Sequence, residues 1–283
     1  MYNAQFISNT GVTFNFGLEW GTAFDVDPLS GLDVDVSVSQ GFQQIGNTVT
    51  GMSVQGVKRK VSGVITDRAN DVQIANNMQK ALSAFTRGKF VVENRYCDAI
   101  VQKTPEFVRM KNGMLTFALQ IFCPLPYWMS TESTVKRLGG YTAAFRFPVN
   151  YSKPHKFGDK AESAFVNCEQ PGEVDVPYKV QFTAQGEVRN FGLIDTRTMD
   201  HIKIFETIVP GHVVEVGRED GQLYVRKKLE DGTVEDIFMK LDESSVLFSL
   251  RAGDNVLKAT ADEGERLLTA FVEYTSAYIG VVS

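Results

Sequence analysis

From Leu115 to Ile121 every second side chain is a large apolar one, with Leu115, Phe117, Leu119 and Ile121 falling on one side of the chain. This period of two suits a strand that buries one face; a helix would scatter the same residues around its axis. The run ends at Cys123-Pro124-Leu125-Pro126-Tyr127-Trp128, where two prolines bar continuation as an internal strand. Immediately before it, Lys111-Asn112-Gly113-Met114 places Asn-Gly between two apolar runs, the signal for a two-residue hairpin. These boundaries predict an antiparallel meander over Phe90–Asn94, Cys97–Lys103, Glu106–Lys111 and Met114–Phe122.

The same rhythm recurs upstream. Asp33–Gln40 puts Val34, Val36 and Val38 on one face and Asp33, Asp35, Ser37 and Ser39 on the other, which predicts a half-buried strand. Gly41–Gly51 is polar and reads as a loop. From Val54 to Ile65 a further strand has Val57, Val61 and Ile65 inward, and Lys58 and Lys60 together on the opposite face. One segment departs from this rhythm. Between Asn70 and Arg87, Ala75, Met78, Leu82 and Phe85 recur at spacings of three and four, predicting an amphipathic helix capped by Asn70 or Asp71 and closed at Arg87-Gly88.

A chain of 283 residues is long for one core, and two domains are expected. Residues 1–128 form the first and 173–283 the second. Residues 129–172, punctuated by Leu138-Gly139-Gly140, Phe147-Pro148, Lys153-Pro154 and Gln170-Pro171-Gly172, form the connection. In the second domain short strands are expected at Lys179–Gln185, His201–Glu206, Val213–Gly217, Leu223–Lys227, Val246–Ser249, Asn255–Thr260 and Leu268–Gly280. Their separators include Val209-Pro210-Gly211-His212, Asp220-Gly221 and Asp231-Gly232, a β-sandwich pattern.

Charge and chemistry narrow the function. Residues 1–125 carry 11 Lys+Arg against 10 Asp+Glu, and residues 126–283 carry 18 against 24. Neither half is the basic body that grips nucleic acid tightly. No apolar run approaches the roughly 18 residues of a membrane span, and the first residues lack a secretory pattern. The three cysteines, Cys97, Cys123 and Cys168, are far apart and odd in number, so neither a disulfide framework nor a thiolate zinc site is expected. His155, His201 and His212 are scattered, and no nucleophile elbow, phosphate loop or paired-histidine metal motif occurs. The pairs Asp25/Asp27 and Asp33/Asp35 are read as solvated strand residues, with a cation site as the alternative. Carbohydrate binding by the C-terminal sandwich is a further alternative. The only tryptophans, Trp20 and Trp128, lie outside that sandwich. No cofactor, no metal and no enzymatic activity are expected.

Several of these elements, taken in order, resemble the distal tail protein (Dit) family of phage tails. A strand with a basic cluster, Gly56-Val57-Lys58-Arg59-Lys60-Val61, precedes a helix ending in Leu82-Ser83-Ala84-Phe85. The hairpin and the Pro-x-Pro-Tyr-Trp element at 124–128 follow. Downstream, Asn190-Phe191-Gly192, Leu250-Arg251-Ala252-Gly253-Asp254-Asn255-Val256 and Phe271-Val272-Glu273-Tyr274 are similar to that family's galectin-like domain.

The resemblance implies a mainly β fold: an N-terminal antiparallel β domain with one helix, and a C-terminal galectin-like sandwich. It implies a homohexameric ring at the tail tip, made in the bacterial cytoplasm. That ring would join the tail-tube protein to a tail-associated hub or lysin protein and to receptor-binding or baseplate proteins. A baseplate component of a contractile tail or tailocin is equally compatible. Lys58 and Lys60 are the candidate subunit contact, and Pro126, Tyr127 and Trp128 the candidate domain junction.

Overall fold

The computed structural model describes residues 2–139, 165–219 and 221–281. The chain divides into two compact units, Met1–Glu132 with Ala277–Ser283, and Ser133–Ser276.

The first unit contains β1 (Ala4–Ser8), β2 (Thr13–Phe16), β3 (Thr22–Asp27), β4 (Val34–Ser39), β5 (Thr48–Val54) and β6 (Val57–Ile65). These are followed by α1 (Asp71–Ala81), β7 (Arg87–Val92), β8 (Arg95–Arg109), β9 (Leu115–Cys123) and β10 (Trp128–Ser130). Seven strands lie side by side in the order β2-β1-β7-β8-β9-β6-β3, with β10 added beside β8. The strict alternation of β9 has the predicted consequence: Leu115, Phe117, Leu119 and Ile121 are all buried. The sheet curls until the ends of its order meet, since the ring of Phe16 on β2 lies 5.4 Å from Phe24 on β3 and 6.1 Å from Phe117 on β9. Each such ring contributes about 1.5–3 kcal/mol by leaving water. Ala75, Met78 and Ala81 of α1, with Leu82 just beyond, complete this core.

Three local expectations are corrected. The helix ends at Ala81, well short of Arg87; Leu82 fills the last buried position and Phe85, with φ 63°, is 90% exposed. The chain has to reverse before β7 begins at Arg87, and a turn from Ser83 to Thr86 does so. The Asn-Gly hairpin has three loop residues, since Met110 N–H donates to Met114 C=O and left-handed Gly113 donates to Met110 C=O. Finally, 97–103 and 106–111 are not separate strands: β8 runs through, with register shifts on either side of Lys103 that accommodate Pro105.

The second unit contains β11 (Thr134–Gly139), β12 (Phe165–Asn167), β13 (Tyr178–Ala184), β14 (Val188–Asp195), β15 (His201–Ile208), β16 (Val213–Glu219), β17 (Gln222–Lys228), β18 (Val234–Asp236), β19 (Val256–Glu263) and β20 (Leu268–Tyr274). Two antiparallel sheets, β11-β20-β13-β16-β17-β18 and β12-β19-β14-β15, make a sandwich. Phe182 on β13 and Phe191 on β14 meet between them, 5.1 Å apart and fully buried. Left-handed Gly211 and Gly232 sit at two of the predicted turns. Val246–Ser249 is not a strand, and Asn190-Phe191-Gly192 lies inside β14, at a bulge where Asn190 has φ 50°.

Strand membership also redraws the connection. Trp128–Ser130 pairs with β8 in the first unit, whereas Thr134–Gly139 pairs with β20 and Phe165–Asn167 with β19 in the second. The pieces 128–130, 134–139 and 165–167 are therefore sheet strands and not free linker; residues 140–164, including His155, lie outside the described residues. The last strand, β21 (Ala277–Tyr278), follows β20 in sequence yet pairs with β10 of the first unit. Leu268–Gly280, expected as one strand, is divided between two sheets.

Candidate assembly surface

Strands β4 and β5 form a sheet of their own. Val34 faces Val54, Val36 faces Met52 and Val38 faces Val49, with one bulge after Ser37. Directly opposed residues share a face, so these six side chains make one apolar surface, with Asp35, Ser37, Ser39, Ser53 and Thr48 on the other. Every residue of both strands is exposed; Val36 is 49% and Met52 74% accessible. At the tip Phe42 and Ile45 are fully in solvent. The half-buried strand expected at Asp33–Gln40 thus forms, but nothing in its own unit covers it. An isolated two-stranded ribbon has marginal stability in water, and both outer edges carry unpaired backbone groups. Its second strand is masked in the sequence by the bulge, which puts Val49 out of phase with Met52 and Val54.

The basic cluster divides as its alternation predicts. Lys58 and Lys60 are exposed on the outer face of β6, and among the described residues neither makes an ion pair. Arg59 is fully buried. Its guanidinium donates to the carbonyls of Pro28 and Pro126 (3.0 Å to Pro126) and lies 4.5 Å from the centre of the Trp128 ring. Trp128 is itself fully buried and donates from Nε1 to Leu29 C=O at 3.0 Å. Pro126 is buried and Tyr127 half-buried. Trp128 therefore stands in the core of the first unit, pinned to Arg59, a role that the alternation around Arg59 hinted at but could not assign.

The acidic pairs make local contacts. Asp25 accepts from Tyr2 Oη at 3.1 Å, and Asp35 accepts from Gln55. Among the described residues no three His, Cys, Asp or Glu side chains converge as a metal site. One histidine does meet a carboxylate and a hydroxyl: His201 Nε2 is 3.2 Å from Ser244 Oγ and 3.8 Å from Asp242 Oδ2. The connectivity is wrong for nucleophile activation. Ser244 donates directly to Asp242 at 2.6 Å, and both groups crowd the same ring nitrogen, whereas a triad uses the two nitrogens separately. The hydrogen bond from Ser244 holds the Asp242 carboxyl below its ordinary range. Among the described residues, the buried Nδ1 of His212 has no partner.

In the second unit Asn255, 5% exposed, explains the Leu250–Val256 motif. Its Nδ2 donates to the carbonyls of Cys168, Arg251 and Gly253 at 2.8–3.1 Å, and Oδ1 accepts from Arg251 N–H, fixing left-handed Gly253 ahead of β19. Of the tryptophans, Trp128 is buried and Trp20, 52% exposed, belongs to the first unit. Neither offers a sugar platform in the sandwich. Among the described residues no helix is long and apolar enough to cross a membrane.

A curled antiparallel sheet with one helix, a two-sheet sandwich and an uncovered amphipathic ribbon together define a mainly β, two-unit protein whose prominent surface is an arm. The same architecture occurs among solved structures. The Dit protein of phage SPP1, described as a paradigm of the hub adsorption apparatus in phages infecting Gram-positive bacteria, superposes with a TM-score of 0.66 at 11% identity. The match covers 98% of this chain and 99% of that one, so the two share a fold along their whole length. A chain of the phage P2 baseplate in its activated, calcium-bound conformation matches at TM-score 0.47 and 10% identity over 97% of both chains. No family model matches the sequence, and no curated protein is similar to it.

Proposed function

We propose that this chain is a structural component of a phage tail tip, a distal tail protein that closes into a homohexameric ring between the tail tube and the baseplate or receptor-binding apparatus. The observation that carries the reading is the bare apolar face of the β4–β5 ribbon. Six apolar side chains presented to water on a two-stranded arm need a cover, and a neighbouring copy supplies one when each arm reaches to the next subunit in the same sense. Such a heterologous contact, repeated until it closes, builds a ring. The fold shared with the Dit protein of SPP1 supports the assignment to a tail tip. Lys58 and Lys60, exposed and unpaired, serve as rim charges that set register more than affinity. The tail-tube protein, the tail-associated hub and the receptor-binding proteins are the further partners, and the host cytoplasm is the site of synthesis.

Light scattering on the purified full-length chain tests this. The wild type is expected at the mass of a closed oligomer, six copies for the ring. A Val36→Asp/Met52→Asp variant should remain folded by circular dichroism but run as a monomer. A wild type that stays monomeric at high concentration, both alone and mixed with the tail-tube protein, would sink the proposal. So would an oligomer untouched by the double change.

A further inference from the structure

Two of the three cysteines, 26 positions apart in the chain, meet in the core of the first unit. Cys97 on β8 and Cys123 on β9 are 1% and 0% exposed, with their Sγ atoms 3.2 Å apart. Both project from the inner face of adjacent strands. Ile100 pairs with Phe122, so the two cysteines lie diagonally across the end of that ladder, next to Pro124. A disulfide needs an Sγ–Sγ separation of about 2.05 Å, so the sulfurs have roughly 1.2 Å to close.

The surroundings favour reaction at one of the two. Arg59, buried among the same side chains, has no carboxylate partner among the described residues; its guanidinium donates to two carbonyls and lies over the Trp128 ring, and its Nε is left without an acceptor there. Its positive charge favours ionised sulfur. The two thiols share one hydrogen bond; with burial it pushes the Cys97 thiol up, and with Arg59 it holds Cys123 down. Cys168, in the second unit, is also buried, and burial pushes its thiol up to about 12 against the opposing charge of Lys136.

We propose that Cys97 and Cys123 form a built-in oxidation site, which closes to an intramolecular disulfide when the chain meets a peroxide. Cys123 gives up its proton and the thiolate attacks one oxygen of hydrogen peroxide; the O–O bond breaks, and the hydroxide that leaves takes up that proton as water, giving a sulfenic acid. The Cys97 sulfur then attacks the Cys123 sulfur, the S–O bond breaks, and the departing hydroxide takes the Cys97 proton as water. Two thiols lose two electrons, and one peroxide becomes two waters. Peroxide is near the size of water, which suits a pair closed off from larger oxidants. The bond would tie β8 to β9 at the end of their ladder remote from the Asn112-Gly113 hairpin, near where Arg59 joins Pro28 to Pro126. It does not depend on the ring reading, because both sulfurs belong to one chain.

The test uses the reduced full-length protein, treated with hydrogen peroxide, quenched, unfolded and alkylated before intact-mass analysis and peptide mapping. The expected product has lost two hydrogens, takes one alkyl group, on Cys168, and yields a cross-linked peptide pair holding Cys97 and Cys123. Its thermal midpoint should rise by roughly 5–10 °C and return with dithiothreitol. Cys168→Ser should leave the cross-link intact, and Cys97→Ser or Cys123→Ser should abolish it. Three alkylated cysteines after treatment, or oxygen added to Cys97 or Cys123 without a cross-link, would overturn the proposal. The wild-type peptide map alone separates these outcomes, so the test remains decisive even where a serine variant fails to fold.

Discussion

Strands β9 and β4 share one sequence pattern and meet opposite fates. In β9, Leu115, Phe117, Leu119 and Ile121 alternate with half-buried neighbours and are packed beneath a curled sheet. In β4, Val34, Val36 and Val38 alternate just as cleanly and remain in water. Alternation reports which side chains share a face. It does not report who covers that face, because the cover comes from strands distant in sequence or from another molecule. A long apolar stripe left bare in an otherwise well-packed unit is therefore information about assembly.

The contrast can be tested by substitution on each side. Phe117→Ala on β9 should cost about 3–5 kcal/mol in chemical denaturation, through lost transfer energy and the cavity left beside Phe16. A loss well below 1 kcal/mol would mean that the first unit is not packed as described. Arg59→Met probes the polar centre of the same core. It removes a desolvated charge but strands the Pro28 and Pro126 carbonyls, and an unpaired buried acceptor costs about 1–3 kcal/mol. A net loss of about 1–3 kcal/mol is expected by the same method, and a more stable variant would show that the charge is kept for a reason other than stability.

An intermediate case lies on the outward face of the six-stranded sheet, where polar side chains cover one another. Glu215 accepts from Tyr224 Oη at 2.6 Å and Gln181 at 2.7 Å. Burial pushes its carboxyl up, but Tyr224, Gln181, Lys179 and Arg226 outweigh this and hold it below the ordinary range. A lowered carboxyl stabilises the fold above its unfolded value near 4.5, and that contribution is lost as pH falls through the lower folded value. Glu215→Gln should therefore cost about 1 kcal/mol at pH 7 and flatten the acid limb of the stability curve below about pH 4.5. An unchanged acid limb would remove Glu215 from that role. The smallest stability effect belongs to β4. Val36→Ser should move the denaturation midpoint of dissociated protein by no more than about 0.5 kcal/mol while weakening the oligomer seen by light scattering. A large loss in the monomer would mean that the arm is covered from within.

What the sequence made legible follows period and punctuation. β9, the inward face of β6, the helix core at Ala75 and Met78, and most strands of the sandwich were readable because their apolar spacing agrees with their burial. Errors cluster where tertiary packing overrode a local signal. Phe85 continues the helical stripe, yet the need to turn into β7 leaves it in solvent. Val188–Asp195 is a central strand, hidden by Asn190 and Gly192, which mimic a turn but form a bulge and a close approach to Ile202 C=O, where a Cβ would sit 2.0 Å away. The pairing of Cys97 with Cys123, and of Arg59 with Trp128, depends on strand neighbours 26 and 69 positions apart, which no local pattern encodes. Of the proposed contact surface, Lys58, Lys60 and one strand of the arm were visible, but its uncovered state was not.

The excursion of the chain out of the first unit and back has a practical outcome. It departs after Glu132 and comes home at Ala277, where β21 zips onto β10 and Arg95 clasps the returning segment through Gly280 C=O and the Tyr278 ring. The sandwich is thus an insertion held by two peptide bridges. Severing the second bridge leaves the sandwich covalently attached through the first, whereas severing the first leaves it held non-covalently, by the seat of β21 on β10 and the grip of Arg95. The order of the strands thus makes the two bridges unequal: the first is a covalent tether, and the second is only as strong as the seat of β21.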